Sequence, residues 1–380
     1  MRIPVRIGVL VLGTVLTAQS IQPQESDPLP RRGYFGVGVE KSDAGVRVFV
    51  VTPGSTASGA GVLVGDVIQA INGRATNSPE AVVAAIGTHK SGEFIRIDLK
   101  RGEERRTIEA VLKPYPDEQM ADATVHYGSV VAVPGVRVRT ILSIPTGPAN
   151  SRFPAVLLIQ GGGCGSIDSP FNISVAQPGL VHAIGSQGFV TMRVEKPGVG
   201  DSEGPDCEAI GFDEELSAYR AALRSLRLHP SVDPQQLYLV GISLGGVFAP
   251  ILAVETKVAG ITVYGTLAGP PPPYPGRSDR FFKEFGAVDV AAAWDKSATR
   301  VQVLHGEYDT DPYTNRNAHE QIARMVDTSA AGSAQYRELP GLDHCWTRHV
   351  SLEASRDRCG QGEPTSALAD AMLAFLRGRE

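Results

Sequence analysis

The chain has no cluster of lysines or arginines: 36 basic residues face 41 acidic ones over 380 positions, for a net charge of −5. A nucleic-acid-binding surface needs a basic patch or stripe, so that class is excluded. Apart from Ile7–Leu16 no apolar run approaches the roughly 20 residues of a membrane helix, and that run is itself too short. None of Cys164, Cys207, Cys345 and Cys359 stands in a Cys-x-x-Cys pair, which removes the common zinc and dithiol motifs, and no metal or cofactor is expected. The triple glycine Gly161–Gly163 is not followed by Lys-Ser or Lys-Thr, so it is not a phosphate loop. Internal repeats are lacking, and the one low-complexity tract is Pro270–Pro273.

What is present begins with an address. Arg2 and Arg6 precede the apolar run, and Ala18-Gln19-Ser20 follows with small residues at the positions a signal peptidase inspects. Residues 1–20 therefore read as a cleaved secretory signal, with the mature chain periplasmic or secreted and residues 21–32 a disordered, proline-rich tether. No cysteine follows for lipid attachment. In an oxidising compartment four cysteines form an even set with three possible pairings. Cys164 with Cys207 and Cys345 with Cys359 are favoured, since each pair would brace a loop beside the candidate site; free buried thiols are the alternative.

Two units follow. Residues 33–113 alternate short strands (Val46–Val51, Phe94–Leu99, Thr107–Leu112) with a short helix at Ala57–Val62 and a proline-started helix at Pro79–Ile86. A linker covers 114–124. From residue 125 to 380, two alternating strands joined at Pro134-Gly135 give way to continuous apolar strands separated by amphipathic helices. That rhythm predicts an α/β fold: a mostly parallel, doubly wound sheet covered on both faces. Residues 265–299 interrupt it with prolines, charges and Phe281, Phe282 and Phe285 on one expected helix, and they read as a lid over the strand ends.

The chemistry centres on Val240-Gly241-Ile242-Ser243-Leu244-Gly245-Gly246, at the passage from an apolar strand to a small-residue helix. Gly-x-Ser-x-Gly in that setting is a nucleophile elbow, which presents the serine hydroxyl at a helix start. A serine hydroxyl is a poor nucleophile at neutral pH and needs a base, itself oriented by an acid. His344, in Gly341-Leu342-Asp343-His344 after the last strand, is the candidate base; His305, inside a strand end, reads as structural. Glu307, Asp309 and Asp311 follow the next-to-last strand as candidate acids. Loops at the carboxyl ends of parallel strands converge on one rim, so these distant segments can meet. Backbone N–H groups of Leu244 and of Gly162, in the glycine loop after the first parallel strand, are the candidate oxyanion donors.

Residues 33–113 resemble a bacterial PDZ domain, through Tyr34-Phe35-Gly36-Val37, Gly65-Asp66-Val67-Ile68 and Asn72-Gly73. The resemblance implies that Tyr34, Phe35, Gly36 and Val37 hold a polypeptide C-terminus, the peptide adding a strand beside Val37 and Val39. The alternative is that this groove docks onto the neighbouring domain. Residues 125–380 resemble α/β-hydrolases of the serine aminopeptidase and dienelactone hydrolase branches, and family spacing selects Asp309 as the acid. Gln160 departs from the pattern, standing where many relatives carry histidine. In the family, the turn at Lys196-Pro197-Gly198-Val199-Gly200-Asp201-Ser202 supports the oxyanion loop. The pairing of the two units resembles exported bacterial hydrolases. The expected function is a serine hydrolase cleaving a carboxylic ester through an acyl-enzyme. Its rivals are a serine peptidase whose PDZ domain captures polypeptide ends, and a PDZ interaction scaffold with a vestigial hydrolase domain.

Overall fold

Side chains alternate across a strand with period two, so a continuous apolar strand feeds two cores at once. Leu237 and Leu239 point into one core while Tyr238, Val240 and Ile242, interleaved with them, point into the other. The computed structural model describes residues 29–43, 45–171, 176–297, 299–329 and 332–378. The expected signal segment and residues 21–28 of the expected tether lie outside the described residues. Eight strands form the large sheet, in the spatial order Ser333–Leu339, Arg300–Gly306, Gly260–Tyr264, Val232–Ile242, Phe153–Ile159, Val190–Val194, Val136–Pro145 and Ala123–Val133. Val136–Pro145 pairs antiparallel with both of its neighbours, and the remaining pairings are parallel.

One face is covered by Phe212–Leu228, Gly245–Glu255 and Arg316–Asp327, through residues such as Phe212, Phe248 and Ile322. Ala176–Gly185 and Ala367–Leu376 cover the other, through Leu180, Ile184, Met372 and Phe375. The 265–299 segment does not stand off as a flap. Its helices Asp279–Gly286 and Val290–Lys296 send Phe281, Phe285 and Trp294, all fully buried, into the first core. Phe285 stacks on Phe212 at 4.9 Å between ring centroids, and Phe282 meets Tyr274 edge-on at 5.1 Å. Two of the three phenylalanines thus pack the insertion itself and leave no face for substrate.

The PDZ unit is a smaller sheet of Val37–Ser42, Gly45–Val51, Val67–Ile71, Phe94–Arg101 and Glu104–Val111, with the helix Pro79–Gly87 packed on it through Val82 and Ile86. Ser78 caps that helix by accepting from the Ala81 N–H at 3.2 Å, and proline opens its first turn. Asn72 and Gly73 both have positive φ (+49° and +76°), the left-handed pair that turns Val67–Ile71 back into Arg74–Ala75.

Composition placed Leu29–Arg32 in a disordered tether, and the structure corrects this. Leu29 is buried, and Arg31 inserts between Asp168 (2.8 Å) and Asp201, with its guanidinium 4.1 Å from the centre of the Tyr127 ring. The Arg32 N–H donates to Asp201 at 2.7 Å, and Arg139 pairs with the same carboxylate at 3.2 Å. Nor is 114–124 a loose linker: Lys113–Pro114 pairs with Gly33–Tyr34, and buried Glu118 pairs with Arg193 at 2.6 Å. Charged residues that look like spacer in the sequence are therefore a two-sided ionic joint. Among the described residues no helix is long and apolar enough to cross a membrane.

Removing one member of a buried ionic cluster leaves its partners short of charge, at a typical cost of about 3 kcal/mol or more. Arg31→Ala should therefore lower the urea midpoint of the hydrolase domain, followed by the fluorescence of Trp294 and Trp346. An unchanged midpoint would mean that the joint contributes nothing to that domain.

Candidate active site

The strand Val232–Ile242 ends at Ser243, a non-glycine residue in left-handed backbone with φ +51°, and the helix Gly245–Glu255 starts two residues later. The glycines around it answer to crowding. A Cβ on Gly241 would lie 2.6 Å from Gly246 Cα, and one on Gly245 would lie 2.1 Å from the Ile159 carbonyl oxygen. The serine backbone is held from the neighbouring strand end: its N–H donates to Tyr264 O at 2.9 Å, and the Thr266 hydroxyl donates to its carbonyl at 2.8 Å.

His344 Nδ1 lies 2.8 Å from Asp309 Oδ2, with the Asp309 side chain fully buried. Asp309 is fixed on both oxygens, since Oδ1 accepts from the Asp311 N–H and Oδ2 from the Thr314 hydroxyl, each at 2.9 Å. The two loops are tied together where the Tyr308 N–H donates to Leu342 O at 2.8 Å. Beyond His344, the Cys345–Cys359 disulfide (2.06 Å) and the Asp343 carboxylate, which accepts from Thr347 and from the Gly360 N–H, brace the loop. A Cβ at Gly265 would lie 3.0 Å from the His344 ring and 3.4 Å from Asp309. The turn at Tyr264-Gly265 thus touches the elbow on one side and the His–Asp pair on the other.

Burial works against a charged imidazole at His344, but the Asp309 hydrogen bond and charge, aided by Asp311 and Asp343, outweigh it and raise its pKa above the ordinary 6.5. The other candidates serve elsewhere. Asp311 accepts from the Tyr313 N–H at 2.8 Å and lines the cavity, and Glu307 accepts from the Gly341 N–H at 2.8 Å. His305 is buried, with its ring 4.9 Å from that of His319 and its Nδ1 3.3 Å from Glu338.

Gly162, Gly163, Ser243, Leu244 and Tyr274 line a cavity of about 360 Å³, to which the insertion contributes Pro271 and Pro275. Cys164 follows the glycine loop and is joined to Cys207 (2.02 Å), which anchors that loop to the approach of the helix Phe212–Leu228. Gln160 turns away beneath the loop and donates to Val194 O at 3.1 Å. Among the described residues no group of three or more His, Cys, Asp or Glu side chains is arranged to hold a metal ion.

Of the proposed peptide-binding residues, Tyr34 packs its ring against Tyr115 (5.7 Å) and against Phe171 of the hydrolase domain (5.3 Å). Phe35 is a core residue of the PDZ unit, Gly36 has φ +80°, and Val37 opens the edge strand, whose sheet partner is Gly45–Val51. The Tyr34 end of this segment is therefore docked, while among the described residues the outer edge of Val37–Ser42 has no neighbouring strand. The sequence reading missed Thr314, and it missed Glu215 and Arg277, which together with Lys196 lie behind the glycine loop. Single polar residues in a loop, a helix and an insertion carry no motif.

Residues 33–112 match the profile of the PDZ domain, and residues 156–376 match that of the alpha/beta hydrolase family. Among curated proteins, the chain is 30 % identical over 142 residues to the uncharacterized peptidase YtmA of Bacillus subtilis, 37 % of this chain and 49 % of that protein. It is 25 % identical over 130 residues to esterase EstD of Thermotoga maritima, 34 % of this chain and 30 % of that one. The chain thus spans half the length or less of these relatives. Among solved structures, Est1E from Butyrivibrio proteoclasticus with bound ferulic acid shares the fold, with a TM-score of 0.51 and 16 % identity over 66 % of this chain and 98 % of that one. With a match over more than half of its length, an eight-stranded sheet and a serine elbow at the strand ends, this chain belongs to the alpha/beta hydrolase family and carries an N-terminal PDZ domain.

Proposed function

We propose that the protein is a serine hydrolase that cleaves small carboxylic esters outside the cytoplasm. The observation that carries this reading is the 2.8 Å His344–Asp309 hydrogen bond beside a left-handed Ser243 at the wall of a cavity of about 360 Å³. Ser243 Oγ attacks the ester carbonyl as His344 takes its proton, and Asp309 stabilises the imidazolium. The N–H groups of Leu244 and Gly162 receive the developing oxyanion. His344 then protonates the leaving alcohol, and a water deprotonated by the same imidazole attacks the acyl-enzyme, releasing the acid and restoring Ser243. Esters are favoured because they need less leaving-group activation than amides. The apolar lining of Leu244, Leu267, Pro271 and Pro275 suits an acyl group. Two disulfides are compatible with an oxidising compartment. A second reading, peptide cleavage, draws support from the YtmA likeness and from the open edge of Val37–Ser42.

Ser243→Ala should lower hydrolysis of short acyl esters by about 10⁴-fold or more and abolish labelling by a fluorophosphonate. Faster turnover of peptides than of esters by the wild type would transfer the proposal to the peptidase reading. Folded protein that never labels would leave only the interaction scaffold.

Protonated His344 cannot accept the serine proton, so kcat/KM should fall as pH drops through its raised pKa, with the acid limb above pH 6.5. Asp309→Asn removes the group that raises it. The limb should then move to lower pH while the plateau falls by about 10⁴-fold, as a pH–rate profile will read.

The Cys164→Ser/Cys207→Ser variant should lose ester turnover several-fold at temperatures where its tryptophan fluorescence is still native, because it frees the glycine loop before it loosens the core. Parallel loss of both signals would show the bridge to be purely structural.

A further inference from the structure

Three successive glycines cannot hold their own orientation, since glycine lacks the Cβ that restricts φ and ψ. Yet an oxyanion hole needs one N–H aimed at one place. The peptide unit is planar and trans, so the carbonyl of residue i and the N–H of residue i+1 point in opposite directions. Whatever grips a carbonyl behind the loop thereby aims the next N–H in front of it.

Behind Gly161–Gly163 every carbonyl is gripped. Lys196 Nζ donates to Gly161 O at 2.6 Å and to Gly163 O at 2.9 Å, and Arg277 Nε donates to Gly162 O at 2.9 Å. One carboxylate joins the two cations: Glu215 Oε1 lies 3.0 Å from Lys196 Nζ, and Oε2 lies 2.9 Å from an Arg277 nitrogen. All three side chains are at most 1 % exposed. They come from three separate elements: the turn after Val190–Val194, the first turn of the helix Phe212–Leu228, and the 265–299 insertion. The insertion fixes Arg277 over the face of buried Phe281, 4.7 Å from the ring centre, just before the helix Asp279–Gly286 that Ser278 caps.

Stability alone does not account for this cluster. Two cations share one carboxylate, which leaves a buried excess positive charge, and apolar replacements of buried ion pairs are often neutral or stabilising. Burial pulls the Lys196 pKa down to about 8 against the opposing pull of Glu215, a measure of how hard the charge is to keep there. The excess charge does have a use at the loop: a cation on each carbonyl polarises the peptide unit, so the N–H on the far side becomes a better donor to an anion.

We propose that Lys196 and Arg277, joined through Glu215, are positioning residues that assemble the oxyanion hole by holding the carbonyls of Gly161, Gly162 and Gly163. The Lys196 bond to Gly161 O aims the Gly162 N–H, and the insertion, through Arg277, is a working part of the hole as well as a wall of the cavity. This rests on the acyl-enzyme reading above.

Lys196→Met and Arg277→Met each leave one cation paired with Glu215, so each keeps a neutral buried pair. Both variants should lose about 10²-fold in kcat with KM little changed. Affinity for a trifluoromethyl ketone, whose tetrahedral adduct places an oxyanion in the hole, should fall in the same proportion as kcat/KM. Lys196→Arg, which keeps the charge, should recover part of the loss. Folded variants with wild-type kcat would overturn the proposal. So would a rise in KM at constant kcat, or loss of activity without loss of ketone affinity. Unfolding of both methionine variants would overturn it as well, by making the cluster a requirement of the fold. Failure of the underlying reading shows separately, as wild-type protein that neither turns over esters nor labels at Ser243, and it takes this inference with it.

Discussion

The rim of this hydrolase depends on one backbone residue held in an unfavourable place. Ser243 stands at φ +51°, in a region that costs a non-glycine residue about 1–3 kcal/mol. The surroundings over-determine it: Tyr264 O takes its N–H, the Thr266 hydroxyl takes its carbonyl, and a helix must start at Gly245 in a space that admits no side chain. Because Tyr264 and Thr266 flank Gly265, the segment that holds the elbow also lies against His344 and Asp309. Strain, crowding and the proposed relay are one arrangement.

Buried charge organises the layer beneath. In one cluster Lys196, Glu215 and Arg277 grip the glycine loop; in another Arg31, Arg139, Asp168 and Asp201 lock the start of the PDZ unit to the hydrolase. The turn from Lys196 to Asp201 contributes a residue to each. The loop segment 166–168 belongs to the second cluster through Asp168 and reaches the residue before Lys196, for Ser166 bonds Glu195, whose carboxyl burial pushes up to about 7, and Arg32 reaches Ser166 at 2.9 Å. The PDZ unit is therefore joined to the hydrolase at the continuation of the loop that carries Gly162, with Tyr34 resting on Phe171.

How much was legible followed the range of the interactions. Ser243 announces itself because its strained turn demands glycines at fixed neighbouring positions, so five consecutive residues carry the pattern. The strands are legible because burial on both faces forces continuous apolar runs. Asp309 was separable from Asp311 and Glu307 by family spacing alone. In space the three divide by partner: the imidazole, the Tyr313 N–H and the Gly341 N–H. The tether was misread for the opposite reason. Arg31 and Arg32 beside prolines look solvated until Asp168 and Asp201, well over a hundred residues away, are brought against them.

The sequence by itself determined the two units, the parallel sheet and the elbow, since each follows from local periodicity or from steric demands within a few residues. Only the tertiary structure decided which acid meets His344, that Thr314 steadies it, and that the insertion's aromatics pack into the core. It alone placed Lys196 and Arg277 behind the glycine loop. Those choices turn on which carbonyl or carboxylate a long side chain reaches once distant strands are in register, and no local pattern records that distance.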